Sequence, residues 1–122
     1  MDKFMQAIKK AEELNVSTFY FYASAAVRAL VLEDTENGKY RREMEIVHLR
    51  CAYSEAIMNS RDERIQMQRA LSKLFDIAVW EPENFTDEMQ EEANALREKI
   101  VAKKAKETAY AQAKYALKEV KA

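Results

Sequence analysis

Residues 86–120, TDEMQEEANALREKIVAKKAKETAYAQAKYALKEV, contain neither glycine nor proline. Thr86 stands at the front, where its hydroxyl can accept a hydrogen bond from a free backbone N–H of a first helical turn. Behind it, apolar and charged residues interleave at spacings of three and four. The stretch therefore predicts one helix reaching to about Val120, roughly 50 Å at 1.5 Å per residue. Its charge is sorted by end: residues 81–100 carry seven acids and two bases, residues 101–122 six lysines and two acids. That order complements the helix dipole. A helix of this length outreaches a small bundle, so residues 101–122 are expected to project or to pack on a partner chain.

The rest of the chain follows the same rule. Gly38 and Pro82 are the only glycine and proline in 122 residues, where average usage would supply roughly a dozen or more. Charged residues (34%) and apolar residues (48%) alternate at helical spacing, and little material exists for hairpins or phosphate-cradling loops. The expectation is a single all-α domain over residues 1–122, a four- or five-helix bundle with a long C-terminal helix.

A first helix is predicted from Asp2 to Leu14, with Phe4, Ile8 and Ala11 on one face, before Asn15 and Ser17 break it. A second, apolar helix ends near Asp34. Thr35-Glu36-Asn37-Gly38 then reads as the clearest turn, because Asn and Gly tolerate the left-handed conformation. A third helix covers Lys39 to Asn59. It bears one stripe of Tyr40, Met44, Val47, Cys51 and Met58 and another of Ile46, Leu49, Tyr53 and Ile57, which implies two neighbours. Ser60-Arg61-Asp62-Glu63 reads as a capping box opening a fourth helix. That helix passes Ile65, Leu71, Leu74, Phe75 and Ala78 to Trp80, where Glu81-Pro82-Glu83-Asn84 stops it.

Composition narrows the function. Twenty bases against 21 acids give a net charge of −1, unlike the basic balance usual in nucleic-acid binders. One cysteine, Cys51, forms no internal disulfide, which favours a reducing compartment; its apolar stripe makes it a candidate core residue. Residues 1–14 carry charges throughout and lack the apolar core of a signal peptide, so a cytoplasmic location is expected. Val16–Leu32 holds a single charge, Arg28, yet at 17 residues it sits at the lower limit for a membrane span. A buried central helix is the favoured reading, and no membrane association is expected.

Several residue groups are candidates for chemistry. Glu45 and His48 form an E-x-x-H on one helix face, the pair that di-iron carboxylate bundles use. Glu12 and Glu13 fall on a polar face, so no supporting glutamates are evident, and neither a metal nor any other cofactor is expected. Cys51 and His48 lie three apart, but a chain with one glycine offers no evident oxyanion loop. No catalytic residue is assigned. Lys39, Tyr40, Arg41 and Arg42, at the start of the third helix, make the best anion site: free N–H groups, the dipole and three cations would meet there. The bland alternative pairs Arg41 with Glu45.

Two features point to a partner protein. Phe19, Tyr20, Phe21 and Tyr22 cover all sides of a helix, which leaves Tyr20 and Tyr22 toward an interface. On the last helix Ala102, Ala105, Ala109, Ala113, Ala116 and Val120 recur at three and four, flanked by Tyr110 and Leu117. Small side chains let helices approach closely. The expected function is a non-enzymatic interaction or regulatory protein (adaptor, inhibitor or small subunit) that self-associates or docks a protein through these residues. A binder of a nucleotide or nucleic acid at residues 39–42 is the alternative, and a carboxylate–histidine metal bundle the third.

Overall fold

Where nothing interrupts the ladder of i to i−4 hydrogen bonds, a chain of good helix formers stays helical. The computed structural model describes residues 3–16 and 36–120, apart from the side chains of Asn37 and Arg41. Among the described residues the protein is all-α, with three α-helices, two 3₁₀ turns and no strand. The predicted second helix, with Tyr20 and Tyr22, lies outside the described residues.

Helix α1, Lys3–Glu13, buries Phe4, Ile8 and Ala11, the face its spacing indicated. Asn15 ends it with a positive φ of 54°. The Val16 N–H donates to the Ala11 carbonyl (3.0 Å) and the Asn15 N–H to the Glu12 carbonyl (3.1 Å). These two bonds make a Schellman cap, which satisfies carbonyls the helix end would otherwise strand. Val16 and Ala11, the residues the cap brings together, are both buried.

Helix α2, Glu36–Trp80, runs 45 residues and corrects two expectations. Of the turn foreseen at Thr35–Gly38, Thr35 lies outside the described residues, and Glu36, Asn37 and Gly38 are helical, with no positive φ at Gly38. The break foreseen at Ser60 is absent too, so the predicted third and fourth helices are one. Three α-helices replace the expected four or five among the described residues. An N-cap must leave helical geometry to offer its side chain to the next turn. Ser60 has another use for its hydroxyl, which donates to the carbonyl of Lys103 at 3.3 Å.

Pro82 stops α2 where expected. A 3₁₀ turn, Pro82–Asn84, follows, tied by the Asn84 N–H to the Glu81 carbonyl (2.8 Å) and the Phe85 N–H to the Pro82 carbonyl (3.2 Å). Thr86 caps helix α3, Asp87–Ala116: its hydroxyl accepts the Met89 N–H at 3.2 Å. Acids Asp87 and Glu88 occupy the first turn and Lys114 the last, as the dipole favours. The helix ends four residues short of Val120, in a 3₁₀ turn over Leu117–Glu119.

Two compact units form, Met1–Ile57 with Ala109–Ala122, and Met58–Thr108. The core of the first joins Phe4, Ile8, Ala11 and Val16 to Ile46, Leu49, Ala52 and Tyr53 of α2, and to Tyr110 and Leu117. The Tyr110 hydroxyl donates to the Leu14 carbonyl at 3.3 Å, serving the end of α1. Each fully buried large apolar side chain contributes roughly 1.5–3 kcal/mol.

In the second unit the α2 and α3 segments pack on each other in antiparallel fashion, as a one-turn link requires. Leu74 and Ala93 are buried there. Polar contacts join the same two segments: the part-buried Arg64 forks onto Glu107 with Nε–Oε2 at 2.8 Å and Nη2–Oε1 at 3.2 Å. Lys103 donates to Glu63, and Arg97 lies over the Phe75 ring, 5.0 Å from its centre. Ser60, Glu63 and Arg64, at i, i+3 and i+4, share one face of α2, and Lys103 and Glu107 share one face of α3. The box motif thus joins two helices instead of starting one.

Two outcomes follow. Asn15→Ala should lower stability by about 1 kcal/mol, whereas Asn15→Gly should leave it unchanged or raise it, because only glycine enters the left-handed region without a Cβ penalty. A double-mutant cycle on Arg64→Ala and Glu107→Ala should give a coupling of about 1–3 kcal/mol by urea unfolding, the range of charge-assisted hydrogen bonds shielded from water. A coupling near zero would show the fork to be ornamental.

Candidate functional site

The alanine stripe is divided by the fold. Tyr110 and Leu117, its flanking residues, are 4% and 1% exposed within the core of their own unit. Ala113 and Val120 pack against that core, and Ala109 is half-buried. Residues 109–120 are therefore part of the first unit. Ala102, Ala105 and Ala116 remain exposed, and Val101 and Tyr115 stand beside them at 68% and 67% exposure. The inward ridge of α3 is another set, with Ala93, Leu96, Ile100, Lys103, Glu107, Tyr110, Lys114 and Leu117 all buried or half-buried. Their spacing alternates three and four throughout, the signature of a helix packed along one side. Three charged members hide that ridge from a search for apolar periodicity.

The two stripes on α2 also part company. Leu49, Tyr53 and Ile46 are buried and Ile57 is half-buried, while Tyr40, Met44, Val47, Met58 and Cys51 are exposed. Cys51 is thus no core residue. Two positions along a helix turn the side chain through about 200°, so Cys51 and Tyr53 cannot both face the core that α1 and Tyr110 complete.

The anion expectation loses its backbone component. Because α2 opens at Glu36, the N–H groups of Tyr40, Arg41 and Arg42 lie beyond the four unpaired donors of the helix start. Lys39 and Tyr40 are exposed and Arg42 is half-buried; the side chain of Arg41 lies outside the described residues. Glu36 places an acid in that first turn. Glu45 and His48 do approach, with Oε1 and Nδ1 4.0 Å apart, but among the described residues no three His, Cys, Asp or Glu side chains gather to hold a metal ion. Among the described residues, no helix is long and apolar enough to cross a membrane.

Two concavities of the first unit are lined by described residues. One, of 190 Å³, lies between α1 and the end of α3, with Tyr53, Ala113 and Leu117 inside and Lys3, Lys10 and Glu119 around it. Lys3 pairs with Glu119 at 3.8 Å and Lys10 with Glu13 at 4.0 Å. Its volume falls below the usual range for small-molecule sites, about 300–1,000 Å³. The other is a groove of 520 Å³ lined by Arg50, Ile57, Ala111, Lys114, Tyr115 and Lys118. Sequence inspection misses this groove because its residues come from two helices more than fifty positions apart.

Burial sets the titration of the core. Loss of hydration pushes the Tyr53 phenol up to about 12, and Tyr110 alongside, with ring centres 6.4 Å apart, adds to the rise. At Glu63 the hydrogen bond from Lys103, then the lysine's charge, holds the carboxyl below the usual carboxylate range. Glu63 thus supports the folded state above its ordinary pKa, and that support disappears as pH falls through the lowered value.

For Tyr53 the sign is opposite. The neutral phenol is favoured in the fold, so its contribution is complete below pH 10 and is lost between pH 10 and about 12. At pH 11 the loss amounts to roughly 1 kcal/mol. Urea midpoints of the wild type should fall between pH 9 and pH 11 by correspondingly more than those of Tyr53→Phe. Equal pH slopes for the two proteins would contradict this account.

No protein-family model matches this chain, and no similar curated protein or solved structure is found.

Proposed function

We propose that this protein is a non-enzymatic interaction protein, of the adaptor, inhibitor or small-subunit kind, that self-associates or docks one protein partner through α3. The observation that carries the reading is the uncovered face of that helix. In the second unit Val101 is 68% exposed, and Ala102 and Ala105 leave the backbone approachable beside it. A neighbouring helix laid there would bury Val101 at little steric cost, and Lys99, Lys104 and Lys106 around it would steer an acidic partner. The scarcity of glycine supports the non-enzymatic part, since loops that present several backbone donors to a reacting group have little material here.

Removing the end of α3 is a poor test, because Tyr110 and Leu117 belong to the core. Surface substitutions are better. Val101→Glu combined with Ala105→Glu should retain far-UV helicity and the thermal midpoint to within a few degrees, since both sites are exposed. Light scattering should find the wild type heavier than one chain at high micromolar concentration and the variant at monomer mass, or a captured partner lost from the variant alone. Identical masses and identical partners for the two proteins would remove α3 from the interaction surface.

A further inference from the structure

The groove on the first unit is electrostatically incomplete. Its lining joins Ile57, Ala111 and Tyr115 to Arg50, Lys114 and Lys118, with no acid among these residues. Lys118 lies over the Tyr115 ring at 5.0 Å. Arg50, Lys114 and Lys118 take part in none of the ion pairs formed among the described residues, whereas Lys3, Lys10, Arg64 and Lys103 each have a carboxylate. Three clustered cations around an apolar cleft repel one another and favour an acidic occupant with an apolar anchor.

The same chain carries such an anchor at the end of α2. Trp80 is 79% exposed and Val79 66%, the former the most exposed large apolar side chain described. Asp76, one turn earlier, and Glu81 and Glu83, just beyond, are all exposed. From Ala70 to Leu96 there are seven acids and one base, Lys73. Tryptophan is the side chain most often found as an interface anchor and offers the best face to a cation. An exposed tryptophan with acids close by in sequence is therefore the chemical counterpart of a partly apolar groove lined by three cations without ion pairs among the described residues.

We infer that the groove of Arg50, Ile57, Ala111, Lys114, Tyr115 and Lys118 receives the Trp80 tip of a second copy of this chain, giving a head-to-tail contact. The inference rests on the self-association half of the proposed function and places that contact at the groove and tip, leaving the Val101 face of α3 to a protein partner. The indole fills the cleft over Ile57 and Ala111, with Arg50 or Lys114 against its face, and Glu81 and Glu83 meet the remaining cations. Because the two surfaces differ, each copy keeps one free groove and one free tip. Such a contact adds copies until a ring closes, instead of stopping at a symmetric pair.

That asymmetry supplies the test. The wild-type chain should gain mass with concentration in light scattering, and the association should weaken at least tenfold between 50 and 500 mM NaCl as screening shortens. A groove variant, Arg50→Glu with Lys118→Glu, and a tip variant, Trp80→Ala with Glu83→Lys, should each be folded by circular dichroism and each remain monomeric. Mixed in equal amounts they should form a one-to-one dimer that grows no further, because only one intact groove and one intact tip remain. Lys114→Glu offers a second groove variant should the first lose helicity. Variants that associate like the wild type, or a mixture that stays monomeric, would overturn the head-to-tail contact. If Val101→Glu with Ala105→Glu alone disperses the wild-type assembly, docking through α3 survives and this contact does not. A wild type that is monomeric up to millimolar concentration removes self-association, and this contact with it.

Discussion

One proline sets the register of much of this protein. Pro82 has no N–H to continue α2 and its ring excludes the next helical turn, so the chain leaves the helix at Trp80. Within six residues Thr86 restarts it by accepting the Met89 N–H. A link this short brings the following helix back antiparallel, which places Lys103 beside Ser60 and Glu63, Glu107 beside Arg64, and Arg97 beside Phe75. The same stop leaves Trp80 at the end of a helix with no later turn to cover it. The reversal therefore determines both the packed face and the most exposed aromatic.

The polar face between α2 and α3 shows how a local motif is overridden. A serine followed three residues later by glutamate suits a helix start, where two free N–H groups need acceptors. In mid-helix those N–H groups are already bonded to carbonyls, and the side chains become available to a neighbour. Ser60 then reaches Lys103, and Glu63 takes the lysine's charge. Charged residues at inward positions tolerate burial only when paired and hydrogen-bonded. The two-pronged Arg64–Glu107 contact meets that condition.

Charge is distributed in the opposite way at the surfaces where the proposed interactions lie. Cations inside the helix pair are matched one to one with carboxylates; those around the groove are not. In a chain with a net charge of only −1, such local sorting of charge favours oriented contacts between molecules over nonspecific attraction to polyanions. The exposed stripe of Tyr40, Met44, Val47 and Cys51 is apolar without such charge sorting, and nothing in the structure shows what would cover it.

Local chemistry was legible in the sequence. The all-helical class, the buried face of α1, the stop at Pro82 and the cap at Thr86 each depend on one residue type and the backbone within a turn of it. Tertiary structure alone decided the remainder. Whether Ser60 begins a helix depends on a carbonyl 43 residues away, and whether the Tyr53 or the Cys51 stripe of α2 is buried depends on which side α1 and Tyr110 occupy. The inward ridge of α3 includes Lys103 and Glu107, which become acceptable inside only once Glu63 and Arg64 stand opposite. The groove is formed by Arg50 and Ile57 meeting Lys114 and Lys118. Spacing along one helix records which residues share a face; the neighbour that packs there determines which face is buried, and that neighbour is chosen by contacts distant in sequence.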